Sequence, residues 1–134
     1  MSNTQLSEEQ REAVQGLLAF LPALENTEPH YLRNGYWSEI YSVVSAPVAR
    51  DLFRYLYDRR FVLEDFDWQS WGETALAYMD ERQKLQTAGW HTLYLLLTTH
   101  ISAERGKSGH YDEILENGFL RDVLRRMKAL LEEA

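Results

Sequence analysis

Apolar residues recur at spacings of three and four positions in several separate segments of the chain, and this pattern constrains the fold most strongly. Such spacing places the apolar side chains along one face of an α-helix. The segments are separated by residues that break helices or form turns, among them Pro22, Pro29, Gly89 and Asn117-Gly118. The sequence therefore predicts an all-α fold, a compact single-domain bundle of five or six helices over residues 1–134.

Helix ends can be predicted from caps and helix breakers. Ser7 and Gln10 form a capping-box pattern, which begins a first helix over residues 8 to about 21. Further helices are predicted over residues 45 to about 60, from a cap at Asp67 onwards, and over residues 90 to 104, 111 to 116 and 119 to the C-terminus. In the helix after Asp67, the spacing predicts that Trp68 and Trp71 anchor the core.

A long aromatic-rich loop is predicted between the first two main helices, over residues 31 to 45. Its turn signal is Asn34-Gly35, and a lone strand there would have no partner. Tyr36 and Trp37 follow this turn, where large aromatic side chains either fill the core or provide a binding surface. Both interpretations stay open, and we take Tyr36 and Trp37 as candidate interaction residues.

Composition and charge exclude several classes of protein. The chain has no cysteine, which rules out disulfides, thiolate zinc sites and cysteine nucleophiles. Its net charge of −7 repels phosphate backbones, so direct nucleic-acid binding is not expected. The N-terminus lacks the pattern of a secretory signal, and the longest apolar run, at residues 93 to 97, is too short to span a bilayer. We therefore expect a cytoplasmic protein without a membrane segment.

The best candidate for a catalytic centre combines His100, Glu104, Arg105 and His110. His100 and Glu104 lie four residues apart on one predicted helix face, and the glycine-rich turn that follows could return His110 to their side. Two imidazoles and a carboxylate could hold a divalent metal, with Arg105 on an anionic substrate group. The alternative is structural: His100 is a core histidine, and Glu104 pairs with Arg105 or Lys107. We predict no cofactor and assign no metal site, and the metal interpretation stays open as the alternative.

Other charged and glycine-containing segments carry weaker signals. Glu64, Asp65 and Asp67 could supply paired carboxylates, although consecutive acids in a connector are normally solvated. Residues 106–109 contain Gly-Lys-Ser without the strand and upstream glycine of a phosphate-binding loop, which favours a helix-ending turn. A basic cluster near the C-terminus is typical of a solvated helix face that could also contact an anion; its members are Arg121, Arg125, Arg126 and Lys128.

Two short motifs resemble those of a family of small bacterial proteins that is known only as a domain of unknown function. One is Phe-Asp-Trp-x-x-Trp at residues 66–71, and the other is Leu-Thr-x(5)-acid-Arg at residues 97–105. The similarity extends from about Tyr41 to the C-terminus, although Ser102 stands where a basic residue is common and Gly106 where an aromatic is common. The resemblance implies a cytosolic, bacterial or mobile-element origin and no known activity or ligand.

Because no complete catalytic set can be identified, the sequence favours a non-enzymatic interaction or regulatory domain. Its surface acids and aromatics would bind a protein partner, with Glu64 and Asp65 as candidate contacts beside Tyr36 and Trp37. One specific version is a phage or mobile-element inhibitor whose acids imitate phosphates toward a nucleic-acid-binding host protein. The alternative is a metal-dependent hydrolase using His100, Glu104 and His110.

Overall fold

A computed structural model describes residues 6–25, 46–107 and 109–133, and within these ranges the chain is helical, with no β-strand. In chain order the α-helices are α1 Glu8–Leu18, α2 Leu21–Glu25, α3 Ala46–Asp58, α4 Gly72–Asp80, α5 Trp90–Ser102, α6 His110–Glu116 and α7 Phe119–Glu133. Three 3-10 helices cover Trp68–Trp71, Arg82–Thr87 and Ala103–Arg105. The predicted all-α class is confirmed.

The number of helices differs from the prediction. The described residues form seven α-helices rather than five or six: α1 ends at Leu18, before the predicted end at about residue 21, and the additional helix α2 lies where a connection was predicted. Pro22 had suggested a connection, but it is the second residue of α2, where a proline needs no helical N–H bond. The aromatic-rich loop predicted over residues 31–45 lies outside the described residues.

The predicted start of the first helix is confirmed at atomic level. The backbone N–H of Gln10 donates to the Ser7 hydroxyl at 3.0 Å, and the backbone N–H of Ser7 donates to the Gln10 side-chain carbonyl at 2.9 Å. These two bonds satisfy backbone groups that have no partner within the helix. The sequence pattern was therefore sufficient to place this helix end.

Helix α5 lies at the centre of the core. Every residue from Leu93 to Ser102 is buried, as expected for a helix with apolar residues on most sides. The core cluster around it receives buried side chains from each of the other six described α-helices. No helix in these parts of the chain is both long enough and apolar enough to cross a membrane.

The segment after Asp67 departs from the prediction in two ways. It begins as the 3-10 helix Trp68–Trp71 before α4, and the Asp67 carboxylate makes no capping hydrogen bond. Trp68 and Trp71 are only partly buried, and Trp71 alone packs against the core cluster. A 3-10 helix has three residues per turn, so Trp68 and Trp71 share a face that lies at the edge of the core. The prediction that both indoles anchor the core was wrong for Trp68.

Helices α1 and α3 approach closely because Gly16 has no side chain. The Tyr55 hydroxyl on α3 reaches across to donate a hydrogen bond of 2.8 Å to the Ala13 carbonyl of α1. A Cβ atom at Gly16 would collide with this hydroxyl, and the ring carbon that carries it would lie only 3.0 Å away. Gly16 is therefore needed for the contact between these two helices.

We expect Gly16→Ala to lower the free energy of unfolding by about 1–2 kcal/mol, because overpacking outweighs the better helix propensity of alanine. Urea unfolding measures this change. Gly72→Ala is the matched control, since a Cβ there meets nothing within 4 Å, and it should be near neutral. Tyr55→Phe removes the colliding oxygen. The double variant Gly16→Ala/Tyr55→Phe should therefore lose less free energy of unfolding than the sum of the losses of the two single variants. An additive double variant would contradict this account of the contact.

Candidate functional site

The turn between α5 and α6 brings the two predicted histidines together. His100 is near the C-terminal end of α5, and His110 is the first residue of α6. Between them Gly109 has φ +98°, a left-handed conformation that side chains disfavour, and it lets the chain reverse. Both imidazoles are buried, at 2% and 6% exposure. The structure thus brings His100 and His110 together, a convergence that the sequence had left open.

Hydrogen bonds define the protonation of the His100 ring. Its Nε2 atom lies 3.1 Å from the Ala75 carbonyl oxygen on α4, which can only accept, so Nε2 carries the proton. In the neutral ring Nδ1 is then an acceptor, and it lies 2.9 Å from Nε2 of His110. His110 therefore donates to His100, and His100 donates to Ala75. The two ring planes are nearly parallel, at 2°, and the ring centres lie 5.2 Å apart.

Both imidazoles are held neutral by their surroundings. Burial lowers the pKa of His100 to about 4, an effect that the nearby His110 reinforces and the hydrogen bond to Ala75 opposes. Burial also lowers the pKa of His110, where Glu113 and Glu104 act in the opposite direction and Lys107 adds to the lowering. At neutral pH the pair therefore forms an uncharged chain of hydrogen bonds that joins α4, α5 and α6.

Glu104 serves as a cap for α6. Its carboxylate accepts hydrogen bonds from the backbone N–H groups of Gly109 at 3.2 Å and Tyr111 at 2.8 Å. These donors are among the first N–H groups of the helix, which have no partner within it. The sequence had suggested an ion pair with Arg105 or Lys107, and instead the backbone of the following turn binds Glu104. Arg105 is exposed, with its guanidinium carbon 6.0 Å from the centre of the Tyr57 ring.

This geometry gives no support to the metal-dependent hydrolase. The nitrogens of His100 and His110 that face each other share a hydrogen bond, and Glu104 is engaged with backbone N–H groups. Metal ligands must direct free lone pairs at one point, which these side chains do not do. Residues 6–25, 46–107 and 109–133 contain no group of three His, Asp or Glu side chains placed to hold a metal ion. The contacts and burial of His100 are those of a core histidine, as in the structural alternative.

Three neighbours of the histidine pair were missed from the sequence. The Glu113 carboxylate lies 3.8 Å from Nδ1 of His110, one turn along α6, so an i,i+3 spacing from His110 could have indicated it. Nothing in the sequence indicates that the Ala75 carbonyl contacts His100, because every residue carries this backbone group. The Phe119 ring packs against His100 with a centroid distance of 4.8 Å and excludes water from that side.

The candidate acids, unlike the buried histidines, are exposed to solvent. Glu64, Asp65 and Asp67 are exposed on the connector before α4, and none of them forms an ion pair with any residue that the structure describes. They have the solvated setting expected of consecutive surface acids. Tyr36 and Trp37, the other candidate interaction residues, lie outside the described residues.

The basic cluster on α7 is committed mostly to intramolecular contacts. Arg121 pairs with Asp122 at 3.2 Å, and Arg125 pairs with Glu25 of α2 at 2.9 Å. Nε of Arg126 donates to the Ala88 carbonyl at 2.9 Å, while Lys128 is exposed. These contacts fasten α7 to α2 and to the segment before α5. Of the glycine-rich stretch 106–109, the described residues 106, 107 and 109 are in turns or bends between the 3-10 helix Ala103–Arg105 and α6, as the helix-ending interpretation predicts.

Comparison with known protein families matches residues 9–133 to the family described as Family of unknown function (DUF6508). The match begins at residue 9, so it includes α1 and extends well before the start at about Tyr41 that the motifs suggested. No curated protein and no solved structure matches the chain. The chain thus belongs to DUF6508, a family of unknown function.

Proposed function

We propose that this chain is a helical protein-interaction domain that binds a basic protein partner through the surface of residues 64–81. This acidic-aromatic surface contains six acidic residues and no lysine or arginine. All six are exposed: Glu64, Asp65, Asp67, Glu73, Asp80 and Glu81. That concentration of negative charge, five of its six acids without an ion pair to any described residue, next to partly buried aromatic rings is the observation that supports the proposal.

The aromatic part of the surface provides contact area. Trp68 is partly buried, and Trp71 lies with its ring centre 6.0 Å from that of Phe66 and 6.4 Å from that of Tyr78. Leu76, on α4, is 45% exposed and is the large apolar side chain most open to solvent in the described part. Tryptophan and tyrosine bury large areas at little entropic cost, so they dominate the binding energy of many interfaces.

The acids are free to attract a partner. Glu81 pairs with Lys84 at 3.6 Å, whereas the other five acids form no ion pair with any residue in the described ranges. A surface of one charge steers an oppositely charged protein toward it and accelerates association. The binding should therefore weaken strongly as salt concentration rises.

The connector that carries Glu64 and Asp65 is tied to the core. The Thr98 hydroxyl of α5 accepts a hydrogen bond from the Leu63 N–H at 2.9 Å and donates one to the Phe61 carbonyl at 3.2 Å. The acids therefore extend from a fixed backbone, which lowers the entropy lost on binding.

The partner that best fits this surface is a nucleic-acid-binding protein of a bacterial host. Such proteins carry lysine and arginine that bind phosphates, and exposed carboxylates can pair with the same side chains. The chain would then act in the cytoplasm as a regulator or as a phage or mobile-element inhibitor. The partner's own contacts with DNA should compete with this binding.

The test compares binding of a Lys/Arg-rich peptide, and of basic proteins captured from a bacterial lysate and then purified, to two charge variants. Glu64→Gln/Asp65→Asn/Glu73→Gln should weaken binding about tenfold or more, because three attractive charges are removed. The control is Glu12→Gln/Glu132→Gln/Glu133→Gln, which removes the same charge from exposed acids elsewhere. Binding that is equal for both variants, or equal at low and high salt, would refute the proposal.

A further inference from the structure

A groove lies between the 3-10 helix Arg82–Thr87 and α7, on residues other than those of the acidic-aromatic surface. Its volume is about 460 Å³. Three arginines line it, Arg82, Arg125 and Arg126, against one carboxylate, that of Asp122. In a chain of net charge −7 this is a local excess of positive charge. We infer that the groove binds a small soluble molecule that carries a phosphate group.

The three guanidinium groups differ in how many of their N–H groups donate hydrogen bonds within the protein. Arg82 is committed, since Nε, Nη1 and Nη2 all donate hydrogen bonds within the protein. Arg126 donates only through Nε, to Ala88, so its two terminal amino groups make no hydrogen bond to any described residue. Arg125 holds Glu25 through Nε, with Nη1 at 3.8 Å from Asp122. Arg126 and Arg125 therefore keep N–H donors for a ligand.

Two glutamines add neutral donors to the same groove. Gln83 and Gln86 line it, both are exposed, and their amides make no hydrogen bond within the described ranges. With the terminal amino groups of Arg126, these side chains offer more N–H groups than the two oxygens of a carboxylate can accept. A phosphate group has three terminal oxygens and a charge of about −1.5 to −2 at neutral pH, so it matches this donor set better.

The size of the groove and its apolar wall indicate an organic ligand rather than a bare ion. Small-molecule sites have volumes of roughly 300–1,000 Å³, and an inorganic phosphate would fill only part of this groove. Leu85 and Ala129 provide an apolar wall against which a carbon skeleton can pack. The ligand class is therefore a phosphate monoester with a small organic body.

The experiment titrates glycerol 3-phosphate into ¹⁵N-labelled protein and follows the side-chain resonances of Arg126, Gln83 and Gln86 by NMR. We expect saturable shifts at these groups and none with acetate at equal ionic strength. Gln86→Glu places a negative charge in the groove without removing an internal hydrogen bond, and it should raise the Kd about tenfold. Gln15→Glu adds the same charge at an exposed position of α1 and should change the Kd less than twofold.

Several results would overturn the inference: equal shifts with acetate, no saturable shift, or equal effects of Gln86→Glu and Gln15→Glu. Binding to vesicles containing phosphatidic acid with no response to glycerol 3-phosphate would assign the groove to a lipid headgroup and refute a soluble ligand. Circular dichroism checks that Gln86→Glu is folded. If it is not, Gln83→Glu places the same charge in the groove and carries the same expected increase in Kd.

Discussion

Lowering the pH from 7 to 4 is expected to remove about 3 kcal/mol from the free energy of unfolding through His100 alone. Burial lowers the pKa of this side chain from 6.5 to about 4 in the folded protein. Between pH 6.5 and pH 4, His100 is protonated in the unfolded chain but neutral in the folded protein. Protonation of His100 therefore favours unfolding. The contribution of His100 to the free energy of unfolding is fully present above pH 6.5 and is lost progressively as the pH falls to about 4.

The hydrogen-bond chain explains why His100 is the sensitive member. A proton on Nδ1 of His110 leaves its donor to His100 in place and would face Glu113, 3.8 Å away. A proton on Nδ1 of His100 would instead point at the N–H of His110 and break the bond between the rings. Acidification should therefore separate α6 from α5 once His100 is protonated.

Urea unfolding between pH 4 and 7.5 measures the effect, and His100→Gln/His110→Gln is the control. The double variant should show a shallower fall in stability over this range. Its remaining pH dependence comes from carboxylates, which both proteins share. Asp112 acts in the opposite direction, since burial and Glu104 raise its pKa and acid then favours the folded state. Parallel pH profiles for the two proteins would contradict the buried neutral pair.

Arg82→Met is expected to lower the free energy of unfolding by about 2 kcal/mol. The guanidinium donates to the Met79 carbonyl at 2.8 Å, the Asp122 carboxylate at 2.7 Å and the Asn117 carbonyl at 3.1 Å. It also lies 5.3 Å from the centre of the Phe119 ring. One side chain thus links the end of α4 to the junction of α6 and α7.

The size of this effect is limited by solvent. The Arg82 side chain is 30% exposed, so water replaces part of what is lost, and Asp122 keeps its pairs with Arg121 and Arg125. Arg82→Lys retains the charge but cannot form the three-way contact, so it should recover less than half of the loss. The control Arg54→Met changes an exposed arginine of α3 and should alter stability by less than about 0.5 kcal/mol. Equal losses for Arg82→Met and Arg54→Met would contradict the linking role.

Parts of the fold that depend on neighbours along the chain could be predicted from the sequence. The capping box of Ser7 and Gln10 was predicted correctly because both partners lie within one turn. The burial of α5 followed from its apolar residues on most sides. The 3-10 geometry of Trp68–Trp71 was not predicted, because a spacing of three suits both helix types and tertiary packing decides between them.

The sequence named His100, Glu104 and His110 as candidates, together with Arg105, but it did not indicate how their side chains interact. The spacing of His100 and His110 allowed them to meet but did not establish it, and the turn at Gly109 brings them together. The Ala75 carbonyl that defines the protonation of His100 comes from a helix that begins 28 residues earlier in the chain, at Gly72, and carries no signal of its own. A metal site and a buried hydrogen-bonded pair therefore have the same sequence pattern.

By itself the amino-acid sequence determined the helical class, most helix starts and the absence of cysteine chemistry, because these depend on residue type and on spacing within a few turns. Only the tertiary structure decided that the two imidazoles bond to each other, that Glu104 caps α6 and that three arginines converge beside α7. Those outcomes depend on the direction of lone pairs and N–H groups from elements distant in the chain, and that direction exists only once the helices have packed.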